Sequence, residues 1–241
     1  MRRVSPPRCV ISSPEPLGQH SSNPVDPDPL PVALFDLDGT LTDPKVGIVS
    51  CIQTGLSAVG VDADGHGDLS RFIGPPLQES FAELGVPSDR IADAVAAYRE
   101  RFATHGMFEN EVYPGVIEML RRLRDAGWVL GVATSKPELF AVRILMHFEL
   151  AEWFAAVAGA TLDGERRTKA DVVGHALTLV DRDPGGRVIM VGDRSHDIVG
   201  ARAHGLNTIG VTWGYGMLDE LMAADAWQLA NTPGEVADLL L

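Results

Sequence analysis

The chain has 241 residues, 45% hydrophobic and 22% charged, with 20 Lys and Arg against 33 Asp and Glu for a net charge of −13. This is the composition of one or two packed domains rather than of a disordered chain. The acidic balance argues against a nucleic-acid or anionic-membrane binder, because a polyanion has to be met by basic residues.

Two cysteines, Cys9 and Cys51, make neither a disulfide framework nor a four-ligand zinc site, and fit a reducing cytoplasm. No apolar run approaches the roughly 18–20 residues of a membrane span. The opening MRRVSPPRCVISSPEP is basic but lacks the apolar core of a signal peptide. Residues 1–31 hold eight of the 16 prolines and no apolar period, so a disordered tail is expected there.

Ordered structure is expected from VALFDLD (32–38), a short apolar run ending in two aspartates. About 90 residues separate it from the next such run, WVLGVATS (128–135), far more than a crossover needs. Within that gap, Val49, Ile52, Leu56 and Val59 mark one helical face, and Val95, Tyr98 and Phe102 another. Gly74-Pro75-Pro76 and Gly85-Val86-Pro87 break the pattern. The spacing predicts a small helical domain at 44–112, entered at Asp43-Pro44 and left at Tyr113-Pro114-Gly115, inside a core made of 32–43 and 113–241. A helix follows at 115–126, then a strand at FAAVAG (154–159), a helix at 169–180, and strands at RVIMVGD (187–193) and NTIGVTW (207–213). The strands are apolar on both alternations, as buried parallel strands are. The expected fold is α/β: a Rossmann-like parallel sheet covered on both faces, with an inserted α-helical cap.

Ligands of open parallel sheets bind outside the carboxyl ends of the strands. Here those ends read Asp36-Leu37-Asp38-Gly39-Thr40, then Thr134-Ser135, then Gly192-Asp193 with Asp197 four residues on. Lys169 opens the helix before RVIMVGD. A lone DxDG is a weak signal, since aspartate and glycine also form turns at strand ends, and Thr-Ser after a strand also caps helices. Four such features in order, each at a strand end, are not explained as turns. Crowded carboxylates need a cation, and an oxygen-only set indicates Mg²⁺. Thr134, Ser135 and Lys169 offer the hydroxyl, backbone and ammonium donors that a phosphoryl group wants.

FDLDGTLTD, Thr134, Lys169 and GDRSHD resemble the four motifs of the haloacid-dehalogenase-like phosphohydrolases. RFIGPPLQESF, VATSKPELFAVRIL and the WGYG stretch are similar to the branch named as 5′-nucleotidases and phosphoglycolate phosphatases. A bacterial protein tyrosine kinase of the same family has a similar GDRSHD, a similar WGYG and a proline-rich front extension. The resemblance implies Asp36 as nucleophile and Asp38 as general acid and base. It implies Mg²⁺ on Asp36, the Asp38 carbonyl and Asp193, supported by Asp197, with phosphate oxygens held by Thr134, Ser135 and Lys169. Arg71, beside the Gly-Pro loop of the cap, is a candidate for substrate choice. His196 reads as exposed, Lys45 as a surface or weak specificity residue, and Arg121, Arg122 and Arg124 as a solvated helix face. The expected function is hydrolysis of a small phosphate ester, with phosphotransfer to a protein tyrosine as the alternative. No Walker A, HRD or DFG sequence is present to support kinase chemistry of the standard kinds.

Overall fold

The computed structural model describes residues 30–180 and 187–241. Residues 1–29 of the expected tail lie outside the described residues. β1 (Val32–Phe35) leads through a tight turn to β2 (Thr42–Asp43), which pairs antiparallel with β3 (Glu111–Val112). Between β2 and β3 lie α1 (Lys45–Ala58), α2 (Leu77–Glu83) and α3 (Ile91–Arg101), the last running into a π-helical turn at Phe102–Gly106. The chain continues with α4 (Val116–Asp125), β4 (Val129–Pro137), α5 (Glu138–His147), β5 (Ala156–Ala160) and α6 (Lys169–Leu179). It ends with β6 (Val188–Gly192), α7 (Ser195–Arg202), β7 (Asn207–Val211), α8 (Leu218–Ala223), β8 (Gln228–Ala230) and α9 (Pro233–Leu240).

β5, β4, β1, β6, β7 and β8 form one parallel sheet in that order. β1 is central and buried throughout, and its alternation feeds two cores. Val32 and Leu34 pack with Val172, Val173, Ala176 and Leu177 of α6. Ala33 and Phe35 belong to the opposite core, with Val116, Leu120 and Leu123 of α4 and Val236 and Leu240 of α9. β1 is thus buried from both faces, which is why its four residues are all apolar. Among the described residues no helix is long and apolar enough to cross a membrane.

Phe35 lies level with Val132 on β4 and Val191 on β6. The residues just beyond these points therefore emerge side by side at one edge: Asp36 from β1, Ala133 and Thr134 from β4, Gly192 and Asp193 from β6.

The helices between β2 and β3 hold together through their apolar faces. Ile52 and Leu56 of α1 are buried against Val95, Tyr98 and Phe102, and the Tyr98 and Phe102 rings stack 5.8 Å apart. Arg101, at the end of α3, reaches the segment before β3 by a two-pronged contact with Glu109, at 2.7 and 3.0 Å. Beside β2, Tyr215 donates its hydroxyl to Asp43, and Trp213 donates Nε1–H to the Thr40 carbonyl at 3.1 Å.

Candidate active site

Asp36 follows β1, and its N–H still bonds the Val191 carbonyl of β6 at 2.9 Å. The chain then turns at Gly39, with φ of +84°. A Cβ at that glycine would come within 2.2 Å of Asp193 Oδ2, so only glycine lets the turn lie against that carboxylate. Asp193 itself accepts the Tyr215 N–H at 2.7 Å. Asp197 sits in the first turn of α7, where its Oδ2 accepts the Arg194 N–H at 3.1 Å. Carboxylate oxygens of Asp36, Asp193 and Asp197 all lie within 4.8 Å of one another.

Lys169 is placed by a capping box, in which Thr168 caps α6 and Asp171 bonds back to the Thr168 N–H. A cation in the first turn of a helix opposes the helix dipole. Carboxylates offset that here: Lys169 Nζ is 2.6 Å from Asp197 Oδ1 and 3.0 Å from Asp36 Oδ1, and it donates to the Ala133 carbonyl at 2.9 Å. Burial alone would lower its pKa, but Asp197 and Asp36 outweigh burial and hold the ammonium above its ordinary value.

Even with that lysine the cluster is short of positive charge. Burial, followed by the Asp197 and Asp36 charges, pushes Asp193 up to about 8. Asp197 rises to about 6, chiefly by burial, with Lys169 pulling it down and Asp36 pushing it up. Asp193 Oδ1 is buried with no hydrogen-bond partner among the described residues. An oxygen-only set, a carboxylate oxygen on Asp193 without a partner and carboxylates that resist joint ionisation fit a hard divalent cation. Asp38 stands apart. Its carboxylate is not one of the three-acid group and pairs with Lys136, whose Nζ is 2.6 Å from Oδ2. Burial raises the Asp38 pKa, opposed by the Lys136 charge and hydrogen bond. Asp38 could join a metal through its backbone carbonyl while its carboxyl stays free for proton transfer.

Thr134 is buried, and its hydroxyl oxygen accepts the Lys136 N–H at 3.3 Å, leaving the O–H to donate elsewhere. Ser135 is exposed. Arg71 is exposed too, pairing with Glu83 at 3.6 Å and lying over the Phe72 ring. The arginine that does meet the Gly-Pro loop comes from the start of α7: Arg194 donates to the Ile73 carbonyl at 2.8 Å and to Glu220 at 3.0 Å. His196 is exposed, and Lys45 pairs with Asp68 on the surface at 3.8 Å. The arginines of α4 are more engaged than a solvated face implies. Arg122 pairs with Asp238 of α9 at 2.7 Å, and Arg124 lies over the Trp153 ring. Lys136, Arg194 and Tyr215 were not singled out from the sequence. Lys136 lies two residues beyond Thr134 and Arg194 directly follows Asp193, so chain position flags both.

A doubly wound sheet with acids, a hydroxyl and a buried lysine at its carboxyl edge is the chemistry of a phosphoryl-handling enzyme. The family model for haloacid dehalogenase-like hydrolases matches residues 33–211, and the chain belongs to that family. It is 43% identical over 196 residues to a 5′-nucleotidase of Pseudomonas aeruginosa, covering 80% of this chain and 87% of that one. It is 44% identical over 189 residues to the tyrosine-protein kinase PtkA of Mycobacterium tuberculosis, covering 78% of this chain and 64% of that one. The crystal structure of a predicted phosphatase from Clostridium acetobutylicum aligns with a TM-score of 0.81 at 40% identity, over 88% of this chain and 98% of that one. The protein is a phosphatase of this family.

Proposed function

We propose that the protein is a Mg²⁺-dependent phosphomonoesterase that works through an aspartyl-phosphate on Asp36, on a small ester such as a nucleoside 5′-phosphate or 2-phosphoglycolate. The observation that carries this reading is the separation of roles. Asp36 lies with Asp193, Asp197 and Lys169, whereas the Asp38 carboxyl lies outside that group against Lys136.

Asp36 attacks phosphorus as the nucleophile, and the ester P–O bond breaks. Asp38 gives its proton to the departing oxygen. In the second half, Asp38 takes a proton from water as that water attacks phosphorus, releasing phosphate and regenerating Asp36. Lys169 and the Thr134 hydroxyl hold the non-bridging oxygens as charge spreads onto them, with Ser135 adding a donor at the same strand end. Asp36, Asp193, the Asp38 carbonyl and Asp197 would hold the cation, which supplies the positive charge that lets a carboxylate approach a phosphate dianion. The helices of 44–112 act as a cap that shields this chemistry from water. Arg71 would serve substrate choice only by leaving Glu83.

The 44% identity to PtkA favours a second reading, in which a protein tyrosine takes the phosphoryl group in place of water. One assay separates the two: phosphate release from a panel of esters with Mg²⁺ or EDTA, run beside labelled ATP and a tyrosine-bearing protein. Metal-dependent release that is lost in Asp36→Asn supports the phosphatase mechanism. Release unaffected by EDTA or by that substitution would sink it.

A further inference from the structure

Lys136 stands where the register of β4 against β5 slips, between Thr134 and Pro137. Such a bulge re-aims a side chain beside a site. Gly159 on β5 makes room for it, since a Cβ there would lie 2.7 Å from the Lys136 carbonyl oxygen and 2.5 Å from Glu138 Cα. The lysine side chain is 6% exposed, with Nζ 2.6 Å from Asp38 Oδ2 and 4.4 Å from the centroid of the Phe102 ring. Phe102 opens the π-helical turn of the insert, so the ammonium lies between the core carboxylate and an aromatic wall from the other half of the molecule.

Its three donors are not equally served. Those of Lys169 meet Asp36, Asp197 and the Ala133 carbonyl. Lys136 has one ion-pair partner among the described residues, Asp38. The Phe102 face attracts the charge but is a poor substitute for an oxygen acceptor. A buried ammonium with donors to spare, aimed at the group that meets the leaving oxygen, is a place for an anion.

We infer that Lys136 is a specificity-determining residue that receives an anionic group carried by the leaving-group portion of the ester. This rests on the proposed role of Asp38. The leaving oxygen has to come within about 2.6–3.2 Å of the Asp38 carboxyl, and Lys136 Nζ lies one hydrogen bond further on. The anion it accepts is therefore only a few bonds from the ester oxygen, close to Phe102. A carboxylate on the carbon that bears the ester oxygen, as in 2-phosphoglycolate, meets that requirement. The uncharged ribose of a nucleoside 5′-phosphate does not. The substrate class is an alkyl phosphate with a second anion close to the ester oxygen.

The test compares 2-phosphoglycolate with 2-hydroxyethyl phosphate, which has the same chain length without the charge. Binding to the full-length Asp36→Asn protein with Mg²⁺ is measured by calorimetry, and kcat/KM on the wild type in parallel. A charge-assisted contact predicts a preference for 2-phosphoglycolate of about tenfold or more. Lys136→Met, in either background, should bring that ratio close to unity, and Lys136→Arg should restore part of it. A fall of equal size for both ligands, with the ratio kept, would make Lys136 a support for Asp38 alone and overturn the inference. Equal binding of the two ligands by protein that retains Lys136 overturns it even if Lys136→Met fails to fold. Intact preference without phosphate release from any ester would support the anion site and strike the phosphatase mechanism instead, so the two failures are read apart.

Discussion

Replacing Asp193 with asparagine should stabilise the metal-free protein while abolishing turnover. Asp193 is 1% exposed, and burial with two neighbouring carboxylates raises its pKa from 3.8 to about 8. At about 1.4 kcal/mol per unit, that carboxyl costs the metal-free fold on the order of 4 kcal/mol at neutral pH. Neutralising one acid also relieves the others, so about half of that is the working figure. Asparagine keeps an oxygen for the Tyr215 N–H and drops the charge. The sign follows from proton linkage. A carboxyl whose folded pKa is raised binds its proton more tightly in the folded state, so stability falls as pH rises from about 4 to about 8 and levels above that. In EDTA at pH 8, Asp193→Asn should therefore melt roughly 4–8 °C above wild type, with the difference shrinking toward pH 5. Mg²⁺ should raise the wild-type Tm, as any ligand of the folded state does, and move the variant much less. Differential scanning calorimetry at the two pH values, with and without Mg²⁺, reads all of this. A variant melting below wild type in EDTA at pH 8 would show that the carboxylates do not repel as argued.

Asp38→Ala should slow phosphorylation by an alkyl phosphate about 10²–10⁴-fold, the usual worth of general acid catalysis. An aryl phosphate with a good leaving group should lose clearly less, and rapid-quench kinetics on the two esters decide it; equal losses would remove Asp38 from the acid role. Leu34→Ala opens a void in the fully buried centre of β1 and should cost about 2–5 kcal/mol in urea unfolding. A loss below about 1 kcal/mol would mean that the sheet is not packed on both faces as described. Thr168→Ala removes the cap of α6 and should cost about 1 kcal/mol, with kcat falling because Lys169 loses its fixed start. Unchanged kcat would mean that Lys169 is held by its carboxylates alone.

The sheet was legible because β1 and β6 are short and apolar, β4 begins with an apolar run, and helical stripes separate them. β8 escaped notice because three residues that run from exposed Gln228 to buried Ala230 are too few to carry a pattern. The β2–β3 pair escaped for another reason: it joins Thr42 to Val112 and Asp43 to Glu111, and two residues per strand show no periodicity. Strand ends also showed which acids gather, since register brings Asp36 and Asp193 together whatever the loops do. Side-chain direction was beyond the sequence. Arg71 is the Gly-Pro loop's neighbour along the chain, yet Arg194, 121 residues away from Ile73, is the arginine that reaches it. Lys136 lies in a bulge where two residues of β4, Ser135 and Lys136, pass between pairs that are adjacent on β5, an irregularity with no composition signal. Crossover chain and tertiary contacts, rather than local propensity, decide such positions.

Most directly at issue is whether Asp36 carries the phosphoryl group. Quenching a reaction of enzyme, ester and Mg²⁺ into borotritide reduces an acyl phosphate to an alcohol and leaves tritium on the residue that bore it. Peptide mapping should find the label as homoserine at position 36, only with ester and metal present and not in Asp36→Asn. Steady phosphate release with no label at position 36 would contradict the covalent mechanism and point to direct attack by water.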